Sequence, residues 1–234
     1  MIAKPSKGLR GNLRRLRGRI GMAVGRASST EPLCHNFGFS RGTPVDRHYI
    51  EAFLAEHARD IGGRVLEVGD DLYSRRFGGG RIVRQDVLHV SPGQRAATIT
   101  GDVSDDGVLP KSTFDCIIFT QTLHLVFDVA KAIAFLHAAL RPGGVLLLTS
   151  PGISPVDRGE WKESWYWSLS EQSMSRLLSA SFDPADVKVR AYGNLFSATA
   201  FLHGAAVEDT GTRRLEAVDP AYPVVVAARA RRAA

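Results

Sequence analysis

The chain has 234 residues, 44% of them hydrophobic, so it can bury one sizeable core, and we expect a single α/β domain over residues 31–234. The formal charge of +6 is concentrated in residues 1–30, which contain eight Lys or Arg residues and no acidic residue. Because a nucleic-acid-binding face needs Lys, Arg and aromatic residues spread over a folded surface, this distribution excludes nucleic acid as the expected partner.

Residues 1–30 have the pattern of a basic amphipathic tail. Their apolar side chains recur at helical spacing, with arginines between them: Leu9, Leu13, Leu16, Ile20 and Val24. Such a segment can contact an anionic membrane surface or an acidic partner. It can equally be a partly disordered tail or pack on its own domain, and the sequence leaves these alternatives open.

The first predicted helix of the domain lies in "TPVDRHYIEAFLAEHARDIGG". Thr43 is expected at its N-cap with Asp46 as the capping-box partner, and Gly62 and Gly63 are expected to end it. Arg41 and Arg47, which flank the start of this helix, are either surface residues or groups that reach a binding site and hold an anion.

Apolar strands and helices alternate through the rest of the chain. Helices are expected near residues 71–77, 128–141 (with Asp128 as N-cap), 168–182 and 195–203. The predicted strands are "RVLEV", "IVRQDVL", "ATITG", "FDCIIFT", "GVLLLTS", "VKVRAY" and "PVVVAARA". Because strands this apolar are covered on both faces, the pattern predicts a doubly wound α/β sheet.

The two cysteines, Cys34 and Cys116, lack the repeated Cys and His spacing of a zinc site. We therefore expect reduced thiols, with Cys116 in the core, no metal, and a cytoplasmic protein. No run of 18 apolar residues is present, so the sequence predicts no membrane-spanning helix.

Four stretches occur in a characteristic order: "VLEVG", "TITGDVSD", "FDCIIFTQTLHLVFD" and "LRPGGVLLLTSPG". Over roughly residues 43–230 the chain resembles a class I S-adenosylmethionine-dependent methyltransferase. A closer similarity is to bacterial methyltransferase-like proteins with an "RGTPVDRHYIE" segment, a group often linked to glycan assembly. The resemblance implies a Rossmann-like sheet of seven strands, the last antiparallel, and S-adenosylmethionine as cofactor.

The loop after the first strand is the expected cofactor loop, and it departs from the family pattern E-x-G-x-G-x-G. Glu67 and Gly69 match, whereas Asp71 and Tyr73 stand at the later glycine positions. A glycine lets the backbone approach a ligand closely, and a carboxylate can hold the methionyl ammonium group. Asp70 and Asp71 either cap the following short helix or, in the case of Asp71, face that ammonium group.

The resemblance also implies residues for the adenosine part of the cofactor. His89 lies 22 residues after Glu67, the family's interval for the ribose ligand, and Asp86 is the alternative acid. Asp102 matches the acid that binds the adenine amine, although it can equally cap a turn. The set of cofactor candidates is completed by Val103 and Thr120.

Acceptor-side candidates follow the fourth and fifth strands. His124 resembles the base of small-molecule O-methyltransferases, or it is a hydrogen-bonded structural residue. Aromatic faces suit sugars and planar acceptors, or they simply pack a loop onto the sheet, and this group comprises Tyr49, Trp161, Trp165 and Trp167.

These patterns favour an enzyme that O-methylates a small hydroxylated acceptor, such as a sugar or natural product. The altered loop supports a second hypothesis, a cofactor-binding protein that does not methylate, either a cyclase-type enzyme or a regulator. A third hypothesis is an interaction protein that docks through its basic tail and keeps a vestigial pocket. A homodimer is left open.

Overall fold

The computed structural model describes residues 29–234, so the amphipathic tail predicted over residues 1–30 lies almost entirely outside the described residues. The described chain forms one seven-stranded sheet with the order β3-β2-β1-β4-β5-β7-β6. Its strands are β1 Gly63–Val68, β2 Ile82–His89, β3 Ile99–Thr100, β4 Phe114–Thr120, β5 Leu140–Pro151, β6 Val187–Tyr192 and β7 Val225–Arg231. Strands β1 to β5 pair in parallel, and β7 runs antiparallel to β5 and β6, which confirms the predicted fold class.

Helices cover both faces of this sheet. In the described residues they are α1 Val45–Glu56, α2 Val129–Ala139, α3 Glu171–Leu178, α4 Leu195–Leu202 and the short α5 Val207–Thr210. One hydrophobic cluster joins α2 and α3 to the first face, and a second joins α1 and α4 to the other. Neighbouring strand residues divide between the clusters, as Ile117 and Ile118 do, because side chains alternate along a strand. Cys116 is a free thiol in the core, as predicted.

The predicted start and end of α1 are wrong. Pro44, not Thr43, occupies the N-cap, and no side chain caps the helix. The Thr43 backbone N–H and hydroxyl instead donate to the Glu208 carboxylate, at 2.8 and 3.1 Å. A distant acid has therefore replaced the local capping box. The helix ends at Glu56, and a separate 3₁₀ turn, Ala58–Asp60, precedes Gly62.

The other predicted elements are present with shifted boundaries. The Asp128 carboxylate caps α2 by accepting from the Lys131 backbone N–H at 3.0 Å, as expected. The helix expected near residues 71–77 is a π-helical turn, Ser74–Gly78. The strand expected in "ATITG" shortens to β3, and the helix expected from residue 168 begins only after its Ser170 N-cap.

The segment before α1 is fixed to the chain around α5. The Arg41 guanidinium forms a buried two-point ion pair with Asp209, at 2.7 and 2.8 Å. Pro44 and Ala206 form an antiparallel bridge. These contacts hold residues 35–47 over the edge of the sheet where the strands β1, β2 and β4 end.

Candidate active site

A cavity of about 1200 Å³ lies beyond the carboxyl ends of β1, β2 and β4. In open parallel sheets, this edge is where ligands settle, near the switch in strand order. Here the switch lies at β1, because β2 pairs on one side of it and β4 on the other. The strand ends Val68, His89 and Thr120 form the floor of the cavity, and the walls come from loops on both sides of the sheet.

Glu67 ties β1 to the turn that follows it. Its buried carboxylate accepts from the backbone N–H groups of Tyr73 at 3.0 Å and Ser74 at 2.8 Å. Burial raises the pKa of Glu67 to about 7, although these hydrogen bonds act in the opposite direction. Gly69 lines the cavity at φ +85°, and a Cβ built on it would meet no atom within 4 Å. The hollow above the loop is therefore open.

The two aspartates after Gly69 differ in their position relative to the cavity. The Asp70 side chain lines the cavity and accepts from the Leu72 backbone N–H at 3.0 Å. Asp71 lies outside the cavity lining, and its carboxylate pairs with Arg75 at 2.6 Å, one helical turn ahead. Both carboxylates thus brace the turn, and the structure does not bring Asp71 to the site.

The adenosine-side candidates line the same cavity. His89 ends β2 there, and its Nδ1 accepts from the Ser91 backbone N–H at 3.1 Å. Asp86 lies outside the lining, buried in β2 and paired with Arg64 at 2.7 Å. Asp102 lines the cavity, its carboxylate accepts from both the N–H and the hydroxyl of Ser104, and Val103 beside it is buried.

At the end of β4, Thr120 and Gln121 complete the floor. Gln121 adopts φ +47°, and its buried Nε2 has no hydrogen-bond partner among the described residues. The sequence analysis missed Gln121, and no local pattern distinguishes it from any other polar residue after a strand. Because Gln121 lines the cavity, this unpartnered donor suits a ligand that supplies an acceptor.

His124 lies in the cavity wall with 2% of its surface exposed. Its ring meets Trp165 edge to face at 4.3 Å, and its Nδ1 has no partner among the described residues. Burial lowers the pKa of His124 to about 3, so the imidazole is neutral at pH 7. Its carbonyl accepts from the backbone N–H groups of Tyr166 and Trp167, which ties it to the Trp-rich loop.

Two of the four aromatic candidates reach the cavity. Trp161 and Trp165 line it. Trp167 does not, because its indole N–H donates to the Val126 carbonyl at 3.0 Å and turns the ring away. Tyr49 is buried in the core beneath α1, where its hydroxyl donates to the Leu215 carbonyl at 2.9 Å.

The start of α1 and the segment before it form one wall of the cavity. The sequence left open whether residues of this region reach a binding site. Arg47 lines the cavity, whereas Arg41 is paired with Asp209 and does not. Phe37 also lines it and stacks on Trp165 at 5.8 Å, so this wall closes against the Trp-rich loop.

Within residues 29–234, no cluster of His, Cys, Asp and Glu could hold a metal ion. No helix in that range has the length and apolar character needed to cross a membrane.

The sequence of residues 32–183 matches a family described as "Methyltransferase domain". The match covers more than half of the chain. The chain belongs to this family. With the sheet order described above, it is a class I S-adenosylmethionine-dependent methyltransferase by family and fold.

Solved structures of this methyltransferase fold are similar over most of the chain. A putative sarcosine dimethylglycine methyltransferase from Galdieria sulphuraria has a TM-score of 0.54 at 13% identity, covering 80% of this chain and 85% of that one. A SAM-dependent methyltransferase from Archaeoglobus fulgidus scores 0.53 at 11% identity, covering 80% and 94%. The [4+2]-cyclase SpnF scores 0.52 at 17% identity, covering 100% and 98%. At these identities the similarity shows the fold alone. A search of curated proteins found no match.

The methyltransferase cavity fits the cofactor that its family implies. Of the two side chains that replace glycines, Asp71 turns to Arg75 outside the cavity, and Tyr73 forms part of the cavity wall, where its hydroxyl accepts from Arg47. The space above Gly69 stays open. Buried polar atoms without partners among the described residues remain in its lining: Asp46 Oδ1, Gln121 Nε2 and His124 Nδ1. Such atoms are costly unless a ligand satisfies them, so the lining suits a polar, zwitterionic molecule.

Proposed function

We propose that this methyltransferase transfers a methyl group from S-adenosylmethionine to a hydroxyl group of a small acceptor, such as a sugar or natural product. One observation carries the proposal: a single cavity joins polar residues at the strand ends to an aromatic wall at the Trp-rich loop. The first part suits a nucleoside with a charged amino-acid end, and the second suits a partly apolar acceptor.

The strand-end residues would hold the cofactor. The backbone at Gly69 would approach its sulfonium region, His89 would hydrogen-bond the ribose, and the Asp102–Val103 loop would bind the adenine. Thr120 completes the floor beside Gln121. When bound, S-adenosylmethionine supplies a methyl group activated by a sulfonium, so the main demand on the protein is to position the acceptor.

The aromatic wall would position the acceptor. Trp161 and Trp165 offer ring faces to its apolar surface. His124, wedged against Trp165, accepts a hydrogen bond from the acceptor hydroxyl at the unpartnered Nδ1. It would take the hydroxyl proton as the acceptor oxygen bonds to the methyl carbon and the carbon–sulfur bond breaks, leaving S-adenosylhomocysteine. General-base catalysis contributes about 10²- to 10⁴-fold to the rate in other enzymes.

Calorimetry and a transfer assay test this function together. We expect S-adenosylmethionine and S-adenosylhomocysteine to bind the full chain, and we expect methyl transfer to at least one member of a panel of hydroxylated sugars and phenols. Absence of cofactor binding at millimolar concentration would remove the enzymatic proposal.

A second function is supported by the loop after β1, where Asp71 and Tyr73 replace the usual glycines, and it is compatible with the burial of His124. With its pKa near 3, this residue is a weak proton acceptor at neutral pH, which also suits a cofactor-binding enzyme that does not methylate, such as a cyclase. Cofactor binding without methyl transfer to any acceptor in the panel would support this function over the first.

A further inference from the structure

The Arg47 guanidinium is held rigidly in the cavity wall. It stacks over the rings of Phe39 at 5.4 Å and Tyr73 at 5.5 Å, and its Nη1 donates to the Tyr73 hydroxyl at 3.1 Å. Across residues 29–234, no carboxylate lies within ion-pair distance of it, whereas Arg41, in the segment just before α1, is paired with Asp209. A fixed cation that forms no ion pair within the protein is suited to bind an anionic ligand group.

The preceding residue supplies the opposite charge. Asp46 lines the same cavity, and its buried Oδ1 has no hydrogen-bond partner among the described residues. Burial raises the pKa of Asp46 to about 6, with Arg47 and the backbone N–H groups of the first helical turn acting in the opposite direction. A cationic donor from a ligand would satisfy this oxygen and favour its charged form.

Consecutive residues thus present a cation and an acceptor to one cavity. An α-amino acid carries its carboxylate and its ammonium on a single carbon atom, so a pair of adjacent, opposite charges matches it. S-adenosylmethionine, the cofactor of the proposed function, carries an α-amino acid group of this kind at its methionyl end.

We infer that Asp46 and Arg47 hold the methionyl end of S-adenosylmethionine, with the ammonium on Asp46 and the carboxylate on Arg47, and that Tyr73 positions Arg47. This inference rests on the proposed function. It also accounts for the altered loop: Glu67 is occupied by the backbone N–H groups of Tyr73 and Ser74, and the side chain at the last glycine position is the support for Arg47.

Two ligands distinguish binding of the amino-acid end from binding of the rest of the cofactor. S-adenosylhomocysteine carries that end, and 5′-methylthioadenosine keeps the adenosine and the thioether without it. Calorimetric titration of the full chain should show that Arg47→Gln weakens S-adenosylhomocysteine about 10- to 100-fold, the range for a lost charged hydrogen bond. Binding of 5′-methylthioadenosine should change by less than about twofold.

Arg76→Gln is the matched control. Arg76 also stacks on an aromatic ring, Phe77, but it pairs with Glu51 and lies outside the cavity lining. The Arg76→Gln variant should bind S-adenosylhomocysteine and 5′-methylthioadenosine with unchanged affinity. Asp46→Asn should act like Arg47→Gln, and Tyr73→Phe, which keeps the ring and removes only the hydroxyl, should weaken S-adenosylhomocysteine selectively by about 3- to 10-fold.

The outcomes are distinct. If Arg47→Gln and Asp46→Asn weaken the two ligands equally, or weaken neither, the inference is overturned while the proposed function stands. If neither ligand binds the unaltered protein, the proposed function itself fails. Circular dichroism of each variant establishes that it is folded, and Tyr73→Phe is the variant least able to disturb the fold.

Discussion

Replacing Gly69 by Ala tests whether the cofactor lies in the hollow above the first strand. Gly69 adopts φ +85°, where an L-residue is strained, and its added Cβ would meet no protein atom within 4 Å. The folding cost is therefore backbone strain alone, about 1–2 kcal/mol. For a chain of this length, that cost lowers Tm by roughly 2–8 °C.

The matched control is Gly93→Ala. Gly93 has φ +88°, a Cβ there would also meet nothing within 4 Å, and it lies outside the cavity lining. Thermal unfolding should show similar losses in both variants. Calorimetry should show S-adenosylhomocysteine binding weakened at least about tenfold, or ~1.4 kcal/mol, only in Gly69→Ala. Equal affinities in the two variants would refute the placement of the cofactor against this loop.

Three further predictions concern stability, pH and turnover. Arg41→Ala leaves the Asp209 carboxylate, 1% exposed, without its ion-pair partner, so denaturant titration should show a loss of about 3–5 kcal/mol, against less than about 1 kcal/mol for exposed Arg190→Ala. Glu67 has a pKa raised to about 7 from 4.5, so the folded state keeps a proton that the unfolded state releases, and stability should fall as pH rises through this window. In Glu67→Gln the loss of stability with rising pH should be smaller, by roughly 3 kcal/mol at most. An unchanged loss would contradict the raised pKa of Glu67. His124→Gln should slow methyl transfer about 100-fold with little change in cofactor affinity, and the unaltered enzyme should show no inflection near pH 6.5, because burial lowers the pKa of His124 to about 3; an unchanged rate in His124→Gln would end its catalytic role.

The architecture was predictable because it depends on patterns that are local in sequence. Runs such as "CIIF", residues 116–119, are apolar at every position, which requires cover on both faces of the sheet, and the structure places neighbours such as Ile117 and Ile118 in opposite clusters. Where a distant residue competes with a local rule, the prediction failed. Thr43 suits an N-cap, yet Glu208, from the other end of the domain, takes both of its donors.

The candidate site was predictable where a residue ends a strand and uncertain where it lies on a helix or loop. His89 and Thr120 reach the cavity because the carboxyl ends of parallel strands meet at one edge. Tyr49 and Arg47 are two positions apart on α1 and therefore lie on different faces of the helix, so only one of them can line the cavity. The choice depends on the contact of Tyr49 with Leu215, which no local pattern indicates.

The position of β7 has a consequence for biosynthesis. β7 lies between β5 and β6, so β6, although made earlier, has no place in the sheet until β7 arrives. The cavity wall that carries Arg47 is also incomplete until Asp209 has been made, because Arg41 in the same segment pairs with Asp209. A ribosome-bound chain would thus expose the open edge of β5 until β7 has been made. Truncating the chain before Val225 would therefore remove β7 and also detach β6 from the sheet.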